Sequence, residues 1–116
     1  MLGFFNKTME NLLYQEVTEE FQKHMITQLQ ENSRKGDRAG WLSCTPMQLV
    51  LEIYYHTGKL QEAVKNNDSE LIKEYSADVA NMSMMVLDSC GYLLPKGDIE
   101  TIETPNTKWI KSITEQ

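Results

Sequence analysis

The sequence predicts an all-α fold: an antiparallel helical bundle of three long helices plus a short C-terminal helix. Three observations carry that expectation. Apolar residues recur at three- and four-residue steps in three long stretches. Start and stop signals for helices bracket those stretches. No segment shows the apolar–polar alternation of a half-buried strand.

The first stretch runs from about Thr8 to Glu31. Its apolar row is Met9, Leu12, Leu13, Val17, Phe21, Met25 and Leu29. Residues 32–40 then read as a loop, because they hold four charged residues and two glycines. The second helix has a sharp start. Thr45, Pro46 and Gln48 stand at N-cap, N1 and N3, which makes a capping box with the preferred first-turn proline. Leu49, Val50, Ile53, Thr57, Leu60 and Val64 form its stripe, and Asn66-Asn67-Asp68 ends it. The third helix begins near Asn67 or Ser69, with Asn67 and Glu70 as the capping signal. Leu71, Tyr75, Val79, Met82 and Val86 make its expected buried stripe. Gly91 fits the left-handed residue just past its end. Residues 94–116 read as an irregular extension. Lys96-Gly97-Asp98 is a turn there, and Trp109, Ile110 and Ile113 mark a short helix over 106–115. Short links between the long helices favour antiparallel neighbours.

With 116 residues, one domain spanning 1–116 is expected. A bundle of this size buries only about two-thirds of its chain surface, so a homo-oligomer, dimer or tetramer, is expected. The net charge of −6 and a pI near 4.9 argue against non-specific nucleic-acid binding, which needs a Lys/Arg-rich face. Cys44 and Cys90 form no C-x-x-C pattern and read as reduced thiols. The apolar start, Met1 to Phe5, is too short for a signal peptide, and no stretch approaches the ~20 apolar residues of a membrane span. A cytoplasmic protein without a membrane partner is the expectation.

The candidate chemistry lies between the second and third helices. Glu52, His56, Lys59 and Ala63 share one side of the second helix; Glu74, Asp78, Asn81 and Met85 share one side of the third. At 100° per residue, Asp78 falls at the edge of the buried stripe. Antiparallel packing would turn it into the seam, near His56 or Lys59.

These segments resemble the MazG-like nucleotide pyrophosphohydrolases. Residues 32–41, with a Lys-Gly step and a closing Gly-Trp, look like the loop before that family's catalytic helices. Leu60-Gln61-Glu62-Ala63-Val64 looks like the end of its first metal helix. Asp78-Val79-Ala80-Asn81-Met82-Ser83-Met84-Met85 is similar to its second metal helix and is the most specific part. The resemblance spans roughly residues 20–92. It implies an all-α enzyme that hydrolyses nucleoside triphosphates to monophosphate and pyrophosphate. Its Mg²⁺ is held by Glu-x-x-Glu on one helix and Glu-x-x-Asp on the next. Carboxylates at that spacing suit an ion that wants hard oxygen ligands in an octahedron.

This sequence departs from the pattern at three of the four ligand positions. His56 and Lys59 stand where the first pair belongs and Tyr75 where the third carboxylate belongs; Asp78 alone is kept. Glu74 precedes Asp78 by four residues, not three, and points about 100° away. An ammonium from Lys59 would repel Mg²⁺. The resemblance therefore favours non-catalytic binding, or sequestration, of a nucleotide or nucleotide-derived signal with no cofactor. The expected ligand-binding residues are Lys35, Trp41, His56, Lys59, Tyr75, Asp78 and Asn81. Lys59 would meet phosphate directly or pair with Asp78. Trp41 would stack on a base or cap the bundle end. Two alternatives stand beside this one. The first is a Mg²⁺-dependent pyrophosphohydrolase with Asp78 as a metal ligand, helped by Glu62, Glu70 or Glu74 of a neighbouring subunit. The second is a structural, protein-binding helical module.

Overall fold

The structure is a computed structural model describing residues 2–33 and 37–96, with side chains from residue 7 on. Every regular element among the described residues is a helix. Their order is α1 (Leu2–Glu31), α2 (Arg38–Leu42), α3 (Pro46–Lys65) and α4 (Ser69–Ser89). None of these is long and apolar enough to cross a membrane. The turn at 97–98 and the short helix expected over 106–115 lie outside the described residues.

The start of α3 follows its capping box. Gln48 N–H donates to Thr45 Oγ1 at 3.2 Å, and Thr45 N–H donates to Gln48 Oε1 at 2.8 Å. The far end corrects the expected cap of the next helix. Asn67 does not open α4; it closes α3 from the left-handed region, at φ 51°. Asn67 N–H donates to Val64 O at 3.1 Å and Asp68 N–H to Ala63 O at 3.0 Å, the paired bonds of a Schellman motif. Asparagine tolerates that conformation, so the turn needs no glycine. Asp68 then caps α4 by accepting Leu71 N–H at 3.2 Å.

The same closing motif ends α4, with Gly91 at φ 87° as expected. Tyr92 N–H reaches Leu87 O at 3.1 Å and Gly91 N–H reaches Asp88 O at 3.0 Å. Two other boundaries differ from expectation. The backbone of α1 starts at Leu2 instead of Thr8, since no proline interrupts the chain before the apolar row. The loop expected over 32–40 gains helix α2, because Asp37 caps it by accepting Gly40 N–H at 3.2 Å.

Helices α3 and α4 form the most extensive pair, joined by the three residues Asn66–Asp68. Helices α1 and α2 both pack on α4 as well. Apolar burial is sparse: among the described residues only Leu49, Ala63 and Ala77 are fully buried hydrophobics. The expected stripe of α4, from Leu71 to Val86, is half-buried. On α1 the row is covered only at Met25 and Leu29, while Met9, Leu12, Leu13, Val17 and Phe21 are exposed.

Candidate functional site

The seam between α3 and α4 does not gather the expected site residues in one place. It divides five of them between two cavities. The larger, about 450 Å³, lies toward the turn joining the two helices and is lined by Tyr55, Gly58, Lys59, Glu62, Ala63, Asn66, Asp68, Leu71 and Tyr75. Lys59 is its central cation. Its Nζ sits 4.5 Å from the Tyr55 ring centroid and 5.6 Å from that of Tyr75. An ammonium over aromatic faces is attracted by their quadrupoles. Lys59 thus stands beside two tyrosines, and Asp78 lines a different cavity.

The second cavity, about 210 Å³, lies between α1, α2, α3 and α4. Trp41, Asp78 and Asn81 line it together with Asp37, Cys44, Leu49 and Met85. Asp78 thus belongs with Trp41 and Asn81, not with Lys59. Asn81 is only 3% exposed, and its Nδ2 donates to the Met25 carbonyl at 2.9 Å. That carbonyl can only accept, which fixes which end of the amide faces it. The other end, Oδ1, is buried without a hydrogen-bond partner.

His56 lines neither cavity. Its Nδ1 lies 2.9 Å from the Glu52 carbonyl, which makes it the protonated nitrogen, and its ring meets Tyr55 edge-on at 5.4 Å. Lys35 lies outside the described residues. Among the described residues no three His, Cys, Asp or Glu side chains stand together as a metal-holding group.

One residue central to this end of the molecule, Asp88, was not foreseen. Asp88 is 4% exposed and accepts Arg38 Nε and Nη2, each at 2.9 Å, in the forked geometry of a guanidinium and a carboxylate. It also accepts the Trp41 indole N–H at 2.9 Å. Arg38 Nη2 continues to the Leu94 and Pro95 carbonyls at 3.1 and 3.2 Å. The Arg38 hydrogen bonds hold the Asp88 carboxyl below its ordinary pKa, against the opposing pull of burial; the Trp41 and Leu94 N–H groups assist. One sequence signal was available. A carboxylate in the last turn of a helix opposes the helix dipole, so it needs a cation from elsewhere. Tyr55 was also missed, because it sits on the side of α3 away from the expected stripe.

Cys44 borders the second cavity, and burial, with Glu52 nearby, pushes its thiol pKa up. The cavity therefore holds a protonated thiol at neutral pH and not a nucleophile.

Chemically, the larger cavity offers one cation, two aromatic faces and two carboxylates, Glu62 and the helix-capping Asp68. That set can meet a phosphate, stack a planar ring and accept from hydroxyl groups. Comparison of the chain with protein-family models, with curated proteins and with solved structures finds no match.

Proposed function

We propose that this chain is a MazG-like helical protein that binds a nucleotide or nucleotide-derived signal without catalysis, and does so as a homo-oligomer. The observation that carries the reading is Lys59, poised over Tyr55 and Tyr75 at the wall of the larger cavity. In the resemblance drawn from sequence, that position belongs to a metal ligand. A lysine there brings its own positive charge to the phosphates and needs no Mg²⁺. The volume of about 450 Å³ falls within the range of small-molecule pockets, roughly 300–1,000 Å³. The tyrosine faces supply stacking worth about 1–3 kcal/mol per base. Glu62 suits ribose hydroxyls. Sequestering the ligand is the biological consequence of binding without turnover.

Calorimetry with nucleoside mono-, di- and triphosphates, cyclic dinucleotides and ADP-ribose, each with and without Mg²⁺, tests the reading. Binding that is independent of Mg²⁺ and about 10–100-fold weaker in Lys59→Ala is the expected result, the range following from one charge-assisted hydrogen bond. No binding at millimolar ligand, or equal binding by Lys59→Ala, sinks it. Release of pyrophosphate that needs Mg²⁺ and disappears in Asp78→Ala would replace it with the hydrolase alternative.

A further inference from the structure

The side of α3 turned away from its buried residues is itself apolar. Met47, Leu51, Tyr54 and Tyr55 are 65%, 60%, 73% and 60% exposed. At 100° per residue these four and Gly58 fall within a sector of about 100°. Leu49 and Ala63, the buried residues, lie on the other side of the helix. A surface helix ordinarily carries polar residues opposite its buried face; α3 does so only beyond Gly58, at Gln61, Glu62 and Lys65.

Gly58 is a second, independent observation. A Cβ built there meets nothing within 4 Å, so packing within the chain does not require glycine. Glycine in a helix interior is unfavourable relative to alanine. Its place at the end of an exposed apolar stripe fits a close approach from outside.

We infer that a second copy of this chain docks on the stripe, α3 against α3 about a twofold axis. This deepens the self-association part of the reading above and rests on that part alone. The occupant follows from the burial pattern. Only Leu49, Ala63 and Ala77 are fully buried among the described apolar residues, so the described helices leave apolar surface for a partner to cover. A partner present at equal concentration in every circumstance is another copy of the chain. The area agrees. The four exposed side chains offer roughly 500 Å² of surface. A stable interface takes about 800 Å² from each partner, a little over half of it apolar. The stripe is also self-complementary, as a twofold interface requires. An antiparallel pairing centred on Tyr54 and Tyr55 sets Leu51 of each copy against Gly58 of the other. No charged residue falls in the sector between Met47 and Gly58. Tyr55 and Gly58 also line the Lys59 cavity, so the docked copy borders it.

Sedimentation of the full chain, alongside far-UV circular dichroism, tests the interface with no nucleotide present. The wild type is expected at twice the 13.4 kDa of one chain or more. Gly58→Arg, whose Cβ meets nothing within 4 Å inside the chain, is expected to halve that mass at micromolar concentration. Gly58→Ala is expected to keep its helicity, since the added Cβ meets nothing within the chain. A monomeric wild type overturns the inference and the self-association together, and leaves nucleotide binding to its own test. A Gly58→Arg variant of undiminished mass overturns the assignment of the face. So does a Gly58→Ala variant that loses its helicity, because glycine would then be needed within the chain.

Discussion

Asp88→Ala should destabilise the fold by about 2–4 kcal/mol, a large part of the roughly 5–15 kcal/mol of a typical domain. The buried carboxylate takes two bonds from Arg38 and one from Trp41, all at 2.9 Å. Hydrogen bonds to a charged group contribute about 1.5–3 kcal/mol each. The Arg38 share must be discounted, since its side chain keeps 33% exposure and water can replace the lost acceptor. Trp41 has less recourse. Its indole N–H would lose its acceptor beside the second cavity, at a cost of about 1–3 kcal/mol. Asp88→Asn keeps an oxygen for Trp41 and removes the charge, so it should cost about half as much. Urea unfolding followed by circular dichroism and tryptophan emission measures both. The pH dependence has a definite sign. The folded state holds Asp88 below the ordinary value of 3.8, so its contribution is complete above that range. It fades as pH falls through the depressed folded value. The wild type should therefore lose stability toward Asp88→Asn only in acid below about pH 4. A loss under about 0.5 kcal/mol for Asp88→Ala at pH 7 would refute the clamp, since surface changes commonly stay within that range.

Thr45→Ala removes the acceptor for Gln48 N–H and should cost about 1 kcal/mol in the same unfolding experiment, with α3 fraying at its start. The two thiols should separate by rate. Cys90 is exposed, whereas Cys44 is half-buried with a raised pKa, so a disulfide reagent at pH 7 should modify Cys90 first. Raising the pH should speed Cys44, and equal rates at pH 7 would contradict its placement.

The parts of the fold legible in the sequence are those decided within a few residues. Thr45 and Gln48 cap α3 from three positions apart, and Gly91 closes α4 through its own conformational freedom. The error at Asn67 was one of assignment between two neighbours that both favour caps. Asn67 tolerates the left-handed region, so it closed one helix and left Asp68 to open the next. Helix α2 was hidden because its anchor, Arg38 on Asp88, spans 50 residues. The candidate site was partly legible. Lys59 and Tyr75 do share a cavity, and Trp41, Asp78 and Asn81 share another. Their separation has a geometric cause. A seam runs the whole length of a helix pair, and Tyr75 and Asp78 stand about 4.5 Å apart along α4 and about 60° apart around it. That is enough to turn Tyr75 toward Lys59 and Asp78 toward α2.

Helix α4 is the hub, and the way it holds its neighbours bears on the whole assembly. Its junction with α3 is fixed by a tight turn and capped at both ends. Its hold on α1 and α2 includes two buried polar residues. Asn81 bonds the Met25 carbonyl, and Asp88 bonds Arg38 and Trp41. Such bonds are directional, so they define where α1 and α2 sit. Their net contribution is modest, because water satisfied the same groups before folding. Asn81 carries a further cost of about 1–3 kcal/mol, since its Oδ1 is buried with no partner. The free energy that keeps α1 and α2 in place must therefore come from covering apolar surface. One chain covers little of it: Met9, Leu13, Val17 and Phe21 on α1 and the Met47–Tyr55 stripe on α3 all remain open. Position is specified by these directional bonds, then, while much apolar surface of the described residues stays open on α1 and α3.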